Sequence, residues 1–182
     1  MREPKPHARS GENLSTQLQV IAAAPDQEPI LANLLELYAH DFSEFHDVEL
    51  REDGRFGYKD LPRYWQEAGR RPFLVRVNGS LAGFVLVKMG SEISGRSDVW
   101  DVAEFFILRG YRRRGIGVRV AHEIWKALPG PWEVRVMKAN TAGQLFWVRA
   151  ISLFVGETIR PVRIEKDETP WEVFFFESTQ VS

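Results

Sequence analysis

Arginines and glycines at the start of one predicted helix have the types and spacing of an anion-binding loop. From residue 112 to residue 118 the chain reads Arg112, Arg113, Arg114, Gly115, Ile116, Gly117 and Val118. Glycine has no Cβ, so a ligand or another backbone can approach it closely. The first N–H groups of a helix have no partner within the helix and attract anions, and arginine adds a charge that suits phosphate. We therefore predict a phosphate-binding loop here.

A strand and an amphipathic helix flank this loop. The run from Val99 to Leu108 is rich in β-branched and aromatic residues, which favours a strand, and it is too short to span a membrane. Apolar residues then recur at helical spacing from Ile116 to Leu128, and Pro129-Gly130 ends the pattern. The predicted order is strand, glycine-containing turn, helix.

Two common phosphate-binding motifs differ from this loop. A P-loop has four residues between its glycines, followed by Lys and Ser or Thr. A dinucleotide fingerprint has a third glycine where Val120 stands. Arg112-x-x-Gly115-x-Gly117 instead resembles the Gln/Arg-x-x-Gly-x-Gly/Ala acyl-CoA motif of the GNAT superfamily of N-acetyltransferases. The structural alternative is a tight turn with a solvated arginine run.

The order of predicted elements is also similar to the GNAT fold, over about residues 17 to 178. The resemblance implies an α/β (α+β) fold, with a mixed and mostly antiparallel sheet flanked by helices in the order β-α-α-β-β-β-α-β-α-β-β. Strands are predicted at residues 17–24, 72–77, 81–89, 99–108, 131–137, 154–164 and 171–176. Helices are predicted from about residues 25, 61, 116 and 142. We expect residues 1–15 to be a flexible tail and residues 16–182 to form a single GNAT domain.

The resemblance implies a cofactor and a set of residues that bind it. Acetyl-CoA would be the co-substrate, no metal would be needed, and the acetyl group would pass directly to a primary amine of a small cationic molecule or a peptide. The end of the strand, at Phe106, Ile107 and Leu108, would offer free backbone groups to the cofactor, and residues 112–118 would bind its phosphates. Asn140 would precede the helix that closes over the pantetheine arm, and Trp147 would form a wall of the cofactor site.

Two carboxylates on the central strand, Asp101 and Glu104, are candidates for the general base. Asp101 lies eleven residues before Arg112, which matches a strand carboxylate used by the histone-acetyltransferase branch of the family. Glu104 interrupts an apolar run, where a charge is costly unless it is paired or faces a wet cleft. Alternation along a strand puts the two on opposite faces unless a bulge intervenes. We expect one of them to face the cleft, and we favour Glu104.

The position of the usual general acid departs from the family pattern. Many GNAT enzymes have a Tyr seven residues after the Asn, and this chain has Trp147 there, which cannot serve as an oxygen acid. Four tyrosines could take the role, and the sequence does not rank them: Tyr38, Tyr58, Tyr64 and Tyr111. The departure leaves open an alternative function, a catalytically silent acyl-CoA-binding module that senses or scaffolds.

The segment from His40 to Asp60 carries seven acids against three bases, with aromatic residues between them. Grouped carboxylates attract cations, and in the GNAT topology this segment commonly forms a wall of the acceptor cleft. We therefore expect a cationic acceptor. The other interpretation is a solvated loop.

Composition limits the remaining function classes. The chain has 182 residues, a net charge of −1 and no cysteine, so there is no thiol nucleophile and no global basic field for nucleic acid. The four histidines lack metal-ligand spacing. We expect a cytoplasmic protein that binds neither nucleic acid nor membrane; a homodimer is left open.

Overall fold

The computed structural model describes residues 16–179, which form one seven-stranded sheet with four α-helices. The strands are β1 (Leu18–Ala22), β2 (Arg70–Val77), β3 (Ser80–Met89), β4 (Trp100–Ile107), β5 (Gly130–Met137), β6 (Val162–Lys166) and β7 (Thr169–Ser178). The helices are α1 (Glu28–Phe42), α2 (Arg63–Gln66), α3 (Ile116–Ala127) and α4 (Thr141–Val155). The order of strands across the sheet is β1-β2-β3-β4-β5-β7-β6. The predicted fold class and element order are confirmed.

Helices cover both faces of the sheet because the strands bury apolar side chains on both sides. On one face, here called the α1 face, Leu31 and Leu35 of α1 pack against Leu74 and Phe84 of β2 and β3. On the other face, here called the α3 face, the helices α3 and α4 pack over β4, β5 and β7. Buried residues of that face include Val120, Ile124, Trp125, Ile151 and Phe174.

The hairpin between β2 and β3 has the turn that its sequence predicts. Asn78 and Gly79 join the two strands with φ angles of 51° and 80°. Two consecutive residues with positive φ make a turn whose twist matches that of the flanking strands. This hairpin forms the framework against which β4 pairs.

Strand β4 contains a β-bulge at Ala103. Glu104 pairs with Leu86 and Val102 pairs with Val87, so Ala103 is an extra residue in the ladder with β3. A bulge shifts the alternation of side chains by one residue. Asp101, which pairs with Lys88, therefore lies on the same face as Glu104. The bulge therefore brings both carboxylates to the α1 face, whereas uninterrupted alternation would have put them on opposite faces.

Strands β4 and β5 are parallel, whereas all other neighbouring strands in the sheet are antiparallel. Strands β4 and β5 pair with each other only near their starts. The pairs are Trp100 with Trp132 and Asp101 with Glu133. Beyond Asp101 the two strands separate. We call the paired part the closed end of the β4–β5 junction, and we call residues 102–107 together with residues 134–137 its open end. The open end positions the site described below.

The prediction for residues 154–164 is wrong over its first part. Helix α4 continues to Val155 and ends where Gly156 adopts a left-handed conformation with φ of 79°, as glycine commonly does at a helix C-terminus. Phe154 packs against Trp125 with ring centroids 5.1 Å apart, so its apolar character serves helix packing. Strand β6 begins only at Val162.

The predicted N-terminal tail, residues 1–15, lies outside the described residues. In the described part of the chain, no helix combines the length and apolar character needed to cross a bilayer.

Candidate active site

A pocket of about 420 Å³ lies at the open end of the β4–β5 junction. Residues 102–105 and 134–137 line it from the two strands. The remaining walls come from α1, the loop after α1, the start of α4 and β7. They include Tyr38, Phe42, Tyr58, Asn140, Trp147 and Trp171. The pocket thus passes between the two strands and connects the α1 face with the α3 face.

Backbone groups of β4 face this opening because of the register with β3. The N–H of Leu108 donates to the carbonyl of Ala82 at 2.8 Å. Groups alternate between the two edges of a strand, so the N–H groups of Ile107 and Phe105 point toward β5, which does not pair with them. Of the three backbone positions predicted for the cofactor, Ile107 faces the opening, whereas Phe106 and Leu108 turn toward β3.

Sequence reasoning missed Phe105 as a backbone donor at the opening. The pairing of β4 with β3 decides which alternate residues of β4 point their N–H groups toward β3 and which toward β5. Alternation alone could have linked Phe105 with Ile107, but no signal in the sequence showed which alternate set faces the opening.

The loop before α3 has the geometry of an anion site. Arg113 has a φ of 62°, and Gly115 stands at the N-cap in the left-handed region with φ of 75°. No side chain among the described residues caps the N-terminus of α3. The N–H groups of its first turn are therefore available to an anion. Arg113 and Arg114 are exposed beside this turn.

Gly117 allows α3 and α4 to approach closely. A Cβ at this position would lie 3.0 Å from the ring of Phe146 on α4, closer than most side chains permit. Phe146 in turn packs against Phe105, with ring centroids 5.5 Å apart. Glycine is needed here for packing beside the loop as well as for access to it.

The side chain of Arg112 points back toward β4 rather than out of the loop. Its Nε donates to the carbonyl of Ile107 at 2.6 Å, and its Nη2 lies 2.6 Å from Asp41. Arg109 also contacts Asp41, at 2.7 Å. Burial alone would raise the pKa of Asp41, but hydrogen bonds from Arg109 and Arg112 outweigh burial and lower that pKa. Arg112 therefore ties the loop to the end of β4 and to α1.

Asn140 precedes the first residue of α4, Trp147 lies two turns further along, and both line the pocket. The Asn140 side chain accepts a hydrogen bond from the N–H of Gly143 at 2.8 Å and caps the helix. Trp147 is 7% exposed and packs against Phe105 with ring centroids 5.0 Å apart. The structure thus brings both residues to the α3 side of the pocket.

Glu104 is a half-buried carboxylate in the pocket wall. The hydroxyl of Tyr58 donates to its Oε1 at 3.0 Å. Burial raises the pKa of Glu104, although nearby tyrosine hydroxyls and Arg135 partly oppose this. A carboxylate with a raised pKa is a stronger base and is suited to general base catalysis.

Asp101, the other base candidate, has a different environment. It is fully buried, is hydrogen bonded to Nη1 of Arg135 and lies 3.9 Å from Nζ of Lys88. Burial raises the pKa of Asp101 against the effect of these two cations. Asp101 is not among the residues that line the pocket. The geometry therefore favours Glu104 over Asp101 as a group that can reach a substrate.

The structure separates the four tyrosines that the sequence left unranked. Tyr38 and Tyr58 line the pocket. Burial, followed by the charge of Glu104, raises the pKa of both hydroxyls. Tyr64 is buried below them, where burial and then Glu104 raise its pKa to about 12. Tyr111 packs on the α3 face. The sequence could not rank them because α1 and the following loop reach the pocket only through tertiary packing.

The acidic segment after α1 forms one wall of the pocket, but its acids face elsewhere. Phe42, His46, Val48 and Tyr58 supply the wall. Asp41, Asp53 and Asp60 are paired with arginines. The other four acids of the segment are exposed: Glu44, Asp47, Glu49 and Glu52. Among the described residues, none of the seven lines the pocket.

Residues 16–179 contain no cluster of three or more His, Asp or Glu side chains arranged to hold a metal ion.

Comparisons with known proteins agree with this geometry. Residues 31–149 match the model of the acetyltransferase (GNAT) family. The chain therefore belongs to the GNAT acetyltransferases, which confirms the predicted superfamily and the predicted enzyme class, an N-acetyltransferase. No curated protein sequence matched the chain.

Solved structures of three acetyltransferases share the fold. A GNAT acetyltransferase from Streptococcus agalactiae superposes with a TM-score of 0.68 at 12% identity, covering 90% of this chain and 96% of the other. An acetyltransferase from Thermus thermophilus gives 0.65 at 19% identity, covering 88% and 96%. An aminoglycoside acetyltransferase in complex with coenzyme A gives 0.65 at 10% identity, covering 88% and 95%. At these identities the likeness concerns the fold.

Proposed function

We propose that this enzyme transfers an acetyl group from acetyl-CoA to a primary amine, with Glu104 as the general base. One observation carries the proposal: Glu104 lines the pocket at the open end of the β4–β5 junction. The loop before α3 is held against the end of β4 by the hydrogen bond from Arg112 to Ile107, and the backbone N–H groups of Phe105 and Ile107 face the opening. A base, an anion site and backbone donors therefore meet where two parallel strands separate.

The cofactor would lie on the α3 side of the pocket. The uncapped first turn of α3, residues 115–118, would hold the phosphates, and Arg113 and Arg114 would add charge. Asn140 and Trp147 would bound the pantetheine arm. The free N–H groups of Phe105 and Ile107 would orient and polarise a carbonyl oxygen. When bound, acetyl-CoA supplies the acetyl group as an activated thioester.

The acceptor amine would enter from the α1 side. An alkyl ammonium has a pKa near 10 in water, so it must lose a proton before it can attack. Glu104 would take that proton, directly or through one water. Tyr58 holds the carboxylate in place. Tyr38 and Tyr58 line the pocket, and one of their hydroxyl groups would return a proton to the departing sulfur, a role that Trp147 cannot perform.

We further propose that the acceptor carries a positive charge besides the reacting amine. The support is the wall that the acidic segment contributes, with Phe42 and Tyr58 in the pocket and four exposed acids outside the pocket on the same segment. Aromatic faces bind cations, and exposed carboxylates raise the local concentration of cations. A peptide amine with neighbouring basic residues would meet the same requirement.

The first test replaces the base. Glu104→Gln should lower kcat/KM by about 10²–10⁴-fold near neutral pH, which is the usual contribution of a general base. The defect should shrink at high pH, because the amine then loses its proton unaided. Glu123→Gln, an exposed position on α3, is the matched control and should leave activity unchanged. A loss of the same size at every pH would argue against a general base at Glu104.

The second test concerns the cofactor. Acetyl-CoA at a hundredfold excess over Kd should stabilise the protein by about 2.7 kcal/mol, measured as a rise in Tm. Gly117→Glu should abolish the rise, because it places a side chain and a negative charge at the loop. Lys126→Gln makes the same change of one charge unit at the other end of α3 and should preserve it. Stabilisation without acetyl transfer to any amine would instead support a silent acyl-CoA-binding module.

The third test concerns the acceptor. A panel of cationic, neutral and anionic amines should show the lowest KM for the cationic members. That KM should rise with salt, because exposed charge pairs are screened over about 8 Å at physiological ionic strength. Replacement of Glu44, Asp47, Glu49 and Glu52 by their amides should remove the salt dependence. A neutral amine as the best substrate, with a salt-independent KM, would contradict the charge requirement.

A further inference from the structure

Arg135 on β5 places a cation in the wall of the acceptor pocket. Its neighbours Val134 and Val136 are buried in the core of the α3 face, so alternation directs Arg135 toward the α1 face. The side chain is only 18% exposed and lines the same pocket as Glu104. The reaction proposed for this pocket does not use the charge of Arg135.

Two nearby carboxylates, Asp101 and Glu104, stabilise the charged form of Arg135. Its Nη1 donates to Asp101, and the β-bulge in β4 brings Glu104 to the same face. Burial alone would lower the pKa of Arg135, but the negative charges of Asp101 and Glu104 outweigh it and raise that pKa. Arg135 therefore remains a cation. The ring of Trp171, with its centroid 5.9 Å from the guanidinium carbon, supports the side chain from the opposite strand.

Arg135 differs in charge from the other groups that face Glu104. Tyr38 from α1, Tyr58 from the following loop and Tyr64 from α2 are neutral hydroxyl groups near Glu104. His46 lines the same pocket from the loop after α1. Asp101 on β4 is an anion on the same face. Arg135 is the permanent cation among the residues that line the pocket.

The environment of Asp101 shows how the two carboxylates share this cation. Lys88 approaches Asp101 to 3.9 Å from β3, but Nζ of Lys88 is also hydrogen bonded to Glu92 at 2.8 Å. Glu133 of β5 is the strand partner of Asp101. Arg135 thus forms a hydrogen bond with a fully buried anion and lines the same pocket as Glu104.

We propose that Arg135 is a positioning residue that keeps Glu104 ionised and ready to accept the proton of the acceptor, and that Asp101 holds Arg135 and limits its effect. An opposite charge favours the ionised form of a carboxylate, whereas a like charge disfavours it. Arg135 and Asp101 therefore act on Glu104 in opposite directions. The inference rests on Glu104 being the base.

The test compares the pH dependence of kcat/KM in the wild type, Arg135→Gln, Arg135→Lys and Asp101→Asn. Loss of the cation in Arg135→Gln should move the acidic limb to higher pH and lower kcat/KM by about tenfold near pH 6–7, with recovery at high pH. Arg135→Lys should keep the limb near its wild-type position. Asp101→Asn should move the limb to lower pH. Stabilisation by acetyl-CoA should remain in all three variants and serves as the check of folding.

The outcomes separate this inference from the proposed function. If Glu104→Gln keeps the acidic limb of the wild type, Glu104 is not the base and the proposed function fails. If Glu104→Gln removes that limb but Arg135→Gln lowers the whole profile without moving it, the role of Arg135 is overturned. If Arg135→Gln does not fold, Asp101→Asn decides, because an acidic limb that stays in place or moves to higher pH contradicts the proposal.

Discussion

The closed and open ends of the β4–β5 junction contain the same two strands, but the polar side chains at the two ends have different environments. At the closed end, Glu133 is fully buried and accepts hydrogen bonds from the hydroxyls of Ser91 and Ser94. At the open end, Glu104 faces a pocket and shares its surroundings with Tyr58 and Arg135.

The difference shows where this sheet gains stability and where it retains reactivity. Both oxygens of Glu133 have hydroxyl partners, and a fully satisfied buried group holds neighbouring segments in one arrangement. Glu104 is only partly compensated, because burial still raises its pKa. We therefore expect changes to the buried polar side chains of the closed end to alter stability, and changes to the polar side chains of the open end to alter reactivity more than stability.

The largest loss of stability should come from a substitution in β3, the strand that supports the open end. There β4 pairs with β3 and not with β5, and a Cβ at Gly83 would lie 2.0 Å from the carbonyl oxygen of Phe106. Backbone must move to admit it, so Gly83→Ala should lower the free energy of unfolding by about 2–4 kcal/mol, measured by urea denaturation. Gly110→Ala, where a Cβ meets nothing within 4 Å, is the matched control. Equal stability of the two variants would show that β3 is not the essential support.

The next effect concerns the closed end. Ser91→Ala removes one hydroxyl from the fully buried Glu133 and should cost about 1–3 kcal/mol, the usual cost of an unsatisfied buried group. The double variant with Ser94→Ala should cost more. At a saturating acetyl-CoA concentration, kcat should change little. A large fall in kcat with little change in stability would reverse the assignment of the two ends.

A smaller effect is expected at the start of α4, beside the open end. Asn140→Ala removes the hydrogen bond to Gly143 and should cost about 1 kcal/mol, as loss of an N-cap usually does. Asn140→Asp keeps an acceptor and should preserve stability. Denaturation of the two variants checks the cap, and acetyl-CoA titration then measures whether Asn140 also contributes to cofactor binding.

The smallest effect is a pH-dependent gain in stability at the open end. Because the folded pKa of Glu104 is raised, its contribution to stability is fully present below the pKa of the unfolded chain and is lost as pH rises through the folded pKa. Glu104→Gln stays neutral, and its amide oxygen can still accept from Tyr58. The Tm of this variant relative to the wild type should therefore increase as pH rises above the pKa of an unfolded glutamate, about 4.3, and level off once pH has passed the folded pKa. A constant difference would mean that burial of the charge costs nothing.

Much of the fold follows from local patterns in the sequence. Asn78-Gly79 predicted the β2–β3 hairpin, and Gly115 and Gly117 marked the start of α3. These features depend on backbone conformations that few residue types adopt, so the chain order alone reveals them. The prediction of a strand from residue 154 was wrong because local patterns can be ambiguous. An apolar run has the same appearance in a packed helix as in a strand, and the end of α4 at Gly156 decides between them.

The sequence by itself determined the class of enzyme and the position of the glycine-containing loop before α3, because both depend on residues that are adjacent in the chain. Only the tertiary structure decided how the carboxylates are arranged. The bulge at Ala103 appears through the pairing of β4 with β3, and it brings Asp101 and Glu104 to one face. Arg135 and Tyr58 reach them from distant segments. Strand register and packing between distant segments are set by the whole sheet, so no local pattern could have revealed this charge arrangement.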